Sequence, residues 1–170
     1  PEAIKQAAPE MAALIDGPCW LVPVPASDGT TTANLALANA IAALVTGARV
    51  KRAVGRARPV ESSCERRIRG LPGLSVEEHG IIRTTGPLQT LPVYFIDNVI
   101  TTGTTVAACR RALGWGAGLA YAAASTSNTL APAKKRQSWD CVQTTLPHPG
   151  SFMVGSVSRL DVRNRFDCLE

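Results

Sequence analysis

Asp97 is the residue around which chemistry can be built. It follows the apolar run Val93-Tyr94-Phe95-Ile96, which reads as a buried central strand. After it come Asn98, Val99 and Ile100, then the small polar loop Thr101-Thr102-Gly103-Thr104-Thr105. Residues 107–113 (AACRRAL) favour a helix, so the loop sits at a helix N-terminus, where unpaired backbone N–H groups and the helix dipole attract an anion. The four threonine hydroxyls add donors, and Gly103 allows close backbone approach or a positive φ. The pattern is that of a phosphate cradle. Asp97 and Asn98, at the carboxyl end of the strand, would suit ribose hydroxyls, and Asp97 would suit a divalent metal through water. A P-loop is excluded, because that motif needs a lysine before its Ser/Thr and Gly103-Thr104-Thr105 has none. The plainer alternative is a threonine-rich loop that only caps a helix.

The elements that must position these groups come earlier in the chain. Residues 3–15 are alanine-rich and helical in pattern, with Pro9 expected to end one turn or open a second helix. Residues 19–25 (CWLVPVP) read as a short strand whose pairing ends at Pro23 and Pro25. The loop holding Ala26, Ser27, Asp28 and Gly29 follows, and then a helix over 33–44. Strand, small polar loop and helix therefore occur twice. Read plainly, the first of these loops is a strand-to-helix turn with Ser27 or Asp28 as N-cap. Residues 48–54 alternate as a second strand and run into Arg56 and Arg58, a pair that suits either an anion site or a solvated turn. Residues 60–91 show no long periodicity, and a connection of that length between core strands is expected to be a functional lid or partly disordered.

With an apolar strand, Asp-Asn, Val-Ile, Thr-Thr-Gly-Thr-Thr and a helix in unbroken order, residues 93–106 resemble the phosphoribosyl-pyrophosphate (PRPP) signature of type I phosphoribosyltransferases. From Pro25 to Ser125 the layout is similar to the competence-associated branch of that family, while Glu78-His79-Gly80 resembles part of the orotate enzymes' lid. The Cys-rich zinc segment often found at the start of that branch is lacking, and Asn98 stands where the family has a second acidic residue. The hypoxanthine-guanine enzymes fit less well, because they carry Asp where this chain has Thr101.

The resemblance implies one α/β domain over residues 1–170, with a mostly parallel central sheet flanked by helices, an N-terminal helical segment (1–16), a flexible lid or insertion (60–91), and C-terminal strands with a small hood (126–170). The activity implied is transfer of the 5-phosphoribosyl group from PRPP to a nucleobase-like nitrogen nucleophile, with Mg²⁺ and release of pyrophosphate. Asp97 and Asn98 would be catalytic, with Asp97 reaching the metal through water. Thr101, Thr102, Gly103, Thr104 and Thr105 would hold the 5-phosphate. Ala26, Ser27, Asp28 and Gly29, with Arg56 or Arg58, would hold the pyrophosphate. Arg66, Arg67, Arg69 or Arg83 would close over it from the lid, and Val99 or Ile100 would offer an apolar face to the base. His79 is a candidate proton donor or a bystander. The competing expectation is a non-catalytic module that senses PRPP or a nucleotide, or that works with nucleic acid in DNA uptake or modification.

Composition bounds these readings. A chain of 170 residues supports one substantial core, and its apolar fraction of 45% is that of a globular protein. The net charge of +5 suits a polyphosphate substrate as well as nucleic acid. Five widely spaced cysteines without a Cys-x-x-Cys pair indicate neither a disulfide framework nor a zinc site. No apolar run reaches membrane-spanning length, and a cytoplasmic protein is expected. The partners implied are PRPP and a nucleobase-like small molecule, with a homodimer allowed, nucleic acid less favoured and no membrane. Further short strands are expected at 119–124, 139–143 and 152–155, and the basic cluster Lys134-Lys135-Arg136 reads as a solvated face.

Overall fold

The computed structural model describes residues 2–88, 90–123 and 152–154. The basic cluster, the strand expected at 139–143 and the C-terminal tail lie outside them. Among the described residues the elements run in the order α1 (Glu2–Ala12), β1 (Trp20–Pro23), α2 (Thr32–Ala42), β2 (Arg49–Val50), β3 (Val54–Arg56), α3 (Ser63–Ile68), β4 (Ile81–Arg83), β5 (Val93–Ile100), α4 (Thr104–Leu113), β6 (Ala117–Ala123) and β7 (Phe152–Val154). The main sheet has the order β2-β1-β5-β6-β7, and each of its neighbouring pairs is parallel. The molecule is therefore α/β with a parallel central sheet, as expected from the sequence.

Alternation along the strands divides the core into two layers. Cys19 and Leu21 before and in β1, with Ile96 of β5, face α1 and α2, where Ala7, Ala8, Met11, Leu37, Ala38 and Ile41 are buried. Val22, Val24, Val93 and Phe95 face the other way, against Val106, Cys109 and Leu113 of α4. Burial of each large aliphatic side chain contributes about 1.5–3 kcal/mol, so this two-sided burial fixes strand register strongly. Cys19 and Cys109 are buried free thiols.

Local structure departs from sequence expectation in four places. Pro9 lies inside α1 rather than at a helix boundary. Its ring is on the exposed side, where water can satisfy the carbonyl left without an N–H, and the packing of Ala7, Ala8 and Met11 carries the helix through. The strand expected at 48–54 is split. Arg49 and Val50 pair with β1, the Ala53 N–H turns back onto the Lys51 carbonyl at 2.9 Å, and Val54 starts β3 in a separate antiparallel pair with β4. That turn sends Ala53 and Val54 into the layer beneath α4. Residues 60–91, which lack long periodicity in sequence, hold short elements: α3, with a complete Ser62/Glu65 capping box, and β4, which packs on α4. Finally, β5 runs through Asp97 and Asn98 to Ile100, so the strand is twice as long as its apolar core.

Candidate functional site

The chain leaves β1 through α2 towards β2 on one side, and leaves β5 through α4 towards β6 on the other. Adjacent strands with connections diverging in this way open a crevice at their carboxyl ends, the usual ligand position in open parallel sheets. A cleft of about 300 Å³ lies there. Val24, Pro25, Ala26 and Ser27 line it from the end of β1, and Asp97, Asn98, Val99, Ile100, Thr101, Gly103 and Thr105 from β5 and the threonine loop. Arg56, Glu61, Ser62, Ser63, Leu74 and His79 wall the side formed by the β3–β4 arm.

At the threonine loop, Gly103 is the N-cap of α4 with φ +76°, a left-handed conformation that glycine adopts without a Cβ penalty. Gly103 brings no side chain to cap the helix, and Thr104 N–H turns to Thr102 Oγ1 at 3.4 Å, so the N–H groups of Thr105 and Val106 are left for water or an anion. Thr101 and Thr105 reach the cleft. Thr102 and Thr104 instead bond each other, hydroxyl to hydroxyl, at 2.6 Å and brace the turn.

Asp97 is half-buried, and desolvation pushes its carboxyl up to about 6, against hydrogen bonds from the Asn34 side chain and the backbone of Asn98 and Val99 and the charge of Arg56. Asn34 Nδ2 donates to Asp97 Oδ1 at 3.3 Å and to the Val24 carbonyl at 2.9 Å. Asn98 is exposed, and its Oδ1 accepts from the neighbouring Val99 N–H. Ile100 belongs to the core at 7% exposure, which leaves Val99 as the apolar side chain of this pair with a surface to offer.

The first loop is a tight turn. Ala26 N–H bonds the Thr30 carbonyl, Gly29 N–H bonds the Ala26 carbonyl, and Thr30 N–H bonds Asp28 Oδ1 at 2.7 Å. That last bond, first among its causes, holds the exposed Asp28 carboxyl below its ordinary value. Neither Ser27 nor Asp28 caps α2. Thr31 is the N-cap, and its hydroxyl accepts from Nε and Nη2 of Arg52. Ala26 and Ser27 border the cleft, whereas Asp28 and Gly29 sit at the outer end of the turn.

No family model matches the chain, and neither a curated protein nor a solved structure does.

The two candidate arginines separate cleanly. Arg56 enters the cleft, donating through Nε to the Ala26 carbonyl at 2.6 Å and through Nη1 to the His79 carbonyl, so it clamps the first loop to the arm. Its acceptors are neutral, and its charge stays in the cleft. Arg58 is exposed and does not line it. The arginines of 66–69 also stay outside: Arg66 and Arg69 both pair with Glu61, Arg66 donates further to the Pro72 carbonyl, and Arg67 is exposed. Arg83 donates to the carbonyls of Thr85 and Gly86.

Two residues gain weight from the structure. His79, 4% exposed, lies with Nδ1 3.5 Å from Arg56 Nη1, and burial, then the Arg56 charge, pushes it below its ordinary value, so the ring is neutral at pH 7. Asn34 was legible only as a polar residue on an apolar helix face, at the i position of Leu37, Ala38 and Ile41. Among the described residues no group of three or more His, Cys, Asp or Glu side chains could hold a metal, and no helix is long and apolar enough to cross a membrane.

Proposed function

We propose that the cleft binds PRPP and that the protein is a phosphoribosyltransferase of the type I kind, acting on a nucleobase-like nitrogen nucleophile. The observation that carries this reading is the meeting, across the β1/β5 crevice, of an uncapped helix N-terminus behind Gly103, a desolvated carboxylate and a clamped arginine. The first suits a 5-phosphate, the second a sugar hydroxyl, and the third an anionic leaving group. The donor set fits Mg²⁺ carried in on the substrate, since a single carboxylate with substrate phosphates and waters is a common way to hold this ion. Asp97 would hold it through water, and the ion would supply charge neutralisation to the departing pyrophosphate.

In the reaction the anomeric C1–O bond to pyrophosphate breaks, a C1–N bond forms, and the nitrogen gives up its proton to the departing pyrophosphate or to water. The protein needs positioning and charge control rather than a nucleophile of its own. Thr101, Thr105 and the N–H groups of Thr105 and Val106 anchor the phosphate end, while Arg56 stabilises charge building on the leaving oxygens. Asp97, ionised, steadies the sugar as positive charge develops at C1. Val99 lies where a flat base would pack, and the arm carrying His79 screens the reacting centre from water.

Asn98, turned to its own neighbour's N–H and bringing no charge, favours a second reading in which the same cleft senses PRPP without turnover. Calorimetric titration of PRPP with Mg²⁺ into the wild type and Gly103→Val tests the binding. Micromolar affinity, about −8 kcal/mol, is expected for the wild type and its loss in the variant, whose β-branched side chain is incompatible with φ +76°. Absence of binding by the wild type overturns the proposal. Pyrophosphate release across a panel of bases then separates the enzyme from the sensor.

A further inference from the structure

Asn34 is an unusual residue to find where it is. It sits on α2 among Leu37, Ala38 and Ile41 and is 8% exposed, yet it lines the cleft floor. Its Nδ2 uses both hydrogens, one on the Val24 carbonyl at the end of β1 and one on Asp97 Oδ1 in β5. Those bonds fix the amide, because the flipped orientation would set Oδ1 against a carbonyl and a carboxylate. Its Oδ1 is then left buried with no partner among the described residues. The local sequence helps to explain this, since the residues flanking Val24 are Pro23 and Pro25, which have no N–H to donate. A buried acceptor without a donor is costly, and a residue serving only to fill the α2/β1 contact would be apolar.

We propose that Asn34 is a positioning residue for Asp97, its otherwise unpartnered buried amide aiming that carboxylate at a hydroxyl-bearing sugar phosphate in the cleft. The inference rests on the reading of the cleft as a phosphosugar site and adds to it a residue from a different element. It joins α2, β1 and β5 at one point, so that the sugar-facing carboxylate is held by the helix that follows the first loop. The phosphate end, held by the threonine loop, does not depend on it.

The test uses the full chain with three probes: inorganic phosphate, ribose 5-phosphate and 2-deoxyribose 5-phosphate. Affinities are measured for wild type, Asn34→Leu, Asp97→Asn and the double variant. Asn34→Leu is expected to weaken ribose 5-phosphate roughly tenfold or more, the size of a hydrogen bond to a charged group, and to leave inorganic phosphate unchanged. The preference for ribose over deoxyribose should shrink with it. In the Asp97→Asn background the same substitution should cost less than about threefold, because the two residues act as a unit. Equal weakening of all three probes would mean general damage to the cleft and overturns the proposal. So does a wild-type response to Asn34→Leu when Asp97→Asn weakens ribose 5-phosphate, and that pattern leaves the phosphosugar reading standing. Failure of the wild type to bind ribose 5-phosphate sinks both together. If Asn34→Leu does not fold, Asn34→Ser, which removes the amide with a smaller polar group, is read by the same criteria.

Discussion

Asp97→Asn should make the unliganded protein more stable at neutral pH. Unfolded, the carboxyl titrates near 3.8; folded, desolvation by burial holds it at about 6. Between those values the folded state carries the proton that the unfolded state has lost, so the Asp97 contribution to stability is full below pH 4 and is lost as pH rises through 6. At 1.36 kcal/mol for each tenfold change in proton affinity, the loss approaches about 3 kcal/mol by pH 7. The substituted amide keeps an oxygen for Asn34 Nδ2 but carries no charge, so this loss is absent from the variant. The exposed carboxyls of Asp28, Glu65, Glu77 and Glu78, held low by their hydrogen bonds, give the opposite slope below about pH 4.5. They are common to both proteins and cancel in the difference. Urea denaturation from pH 4 to 8 should therefore show the two proteins matched near pH 4 and diverging to about 3 kcal/mol at pH 7–8. Parallel curves for wild type and variant would refute the argument that Asp97 is held in the cleft at a cost in desolvation.

Two further predictions concern the frame around the cleft. At Gly116, φ is +129° and an added Cβ would lie 2.5 Å from Phe95 Cε2, so Gly116→Ala should destabilise by about 2–4 kcal/mol in thermal or denaturant unfolding. Gly114→Ala, also at positive φ but with nothing within 4 Å, should cost about 1–2 kcal/mol, the conformational part alone. Arg56→Met removes the clamp on the Ala26 and His79 carbonyls and should cost about 2 kcal/mol, with faster hydrogen exchange at the Val60 N–H that bonds the Ser27 carbonyl. Arg58→Met should fall within about 0.5 kcal/mol of wild type, and equal effects at both positions would show that the clamp does not matter.

The parts of the fold that could be read from the chain are those where one physical signal dominates. The apolar strand through Ile96, the polar loop and the helix after Gly103 depend on local pattern, and all three are present. The extent of β5 was not legible, since Asp97 and Asn98 are poor strand formers and stay in the ladder because β6 pairs with Asp97, Val99 and Ile100. The break after Val50 was hidden because Ala53-Val54 continues the alternation of 48–54 while packing in a different layer. For the cleft, the residues contributed by β5 and the first loop follow from their position at strand ends. The contributions of Asn34 and His79 depend on tertiary approach over sequence separations of 63 and 23 residues, to Asp97 and Arg56, which a linear reading cannot supply.

The parallel pairing of β1 with β5 bears on how the molecule comes into being. Trp20 lies opposite Val93, 73 positions later, and no hairpin can make that pairing early. Closing so long a loop is slow, and the intervening arm gains its partner α4 only after β5 has been laid down. The crevice therefore exists only once β1, the β3–β4 arm, β5 and α4 have come together. A ligand seated there would bind the joined elements and not their separate precursors, and would act as a kinetic lock on their docking, slowing unfolding more than it speeds folding.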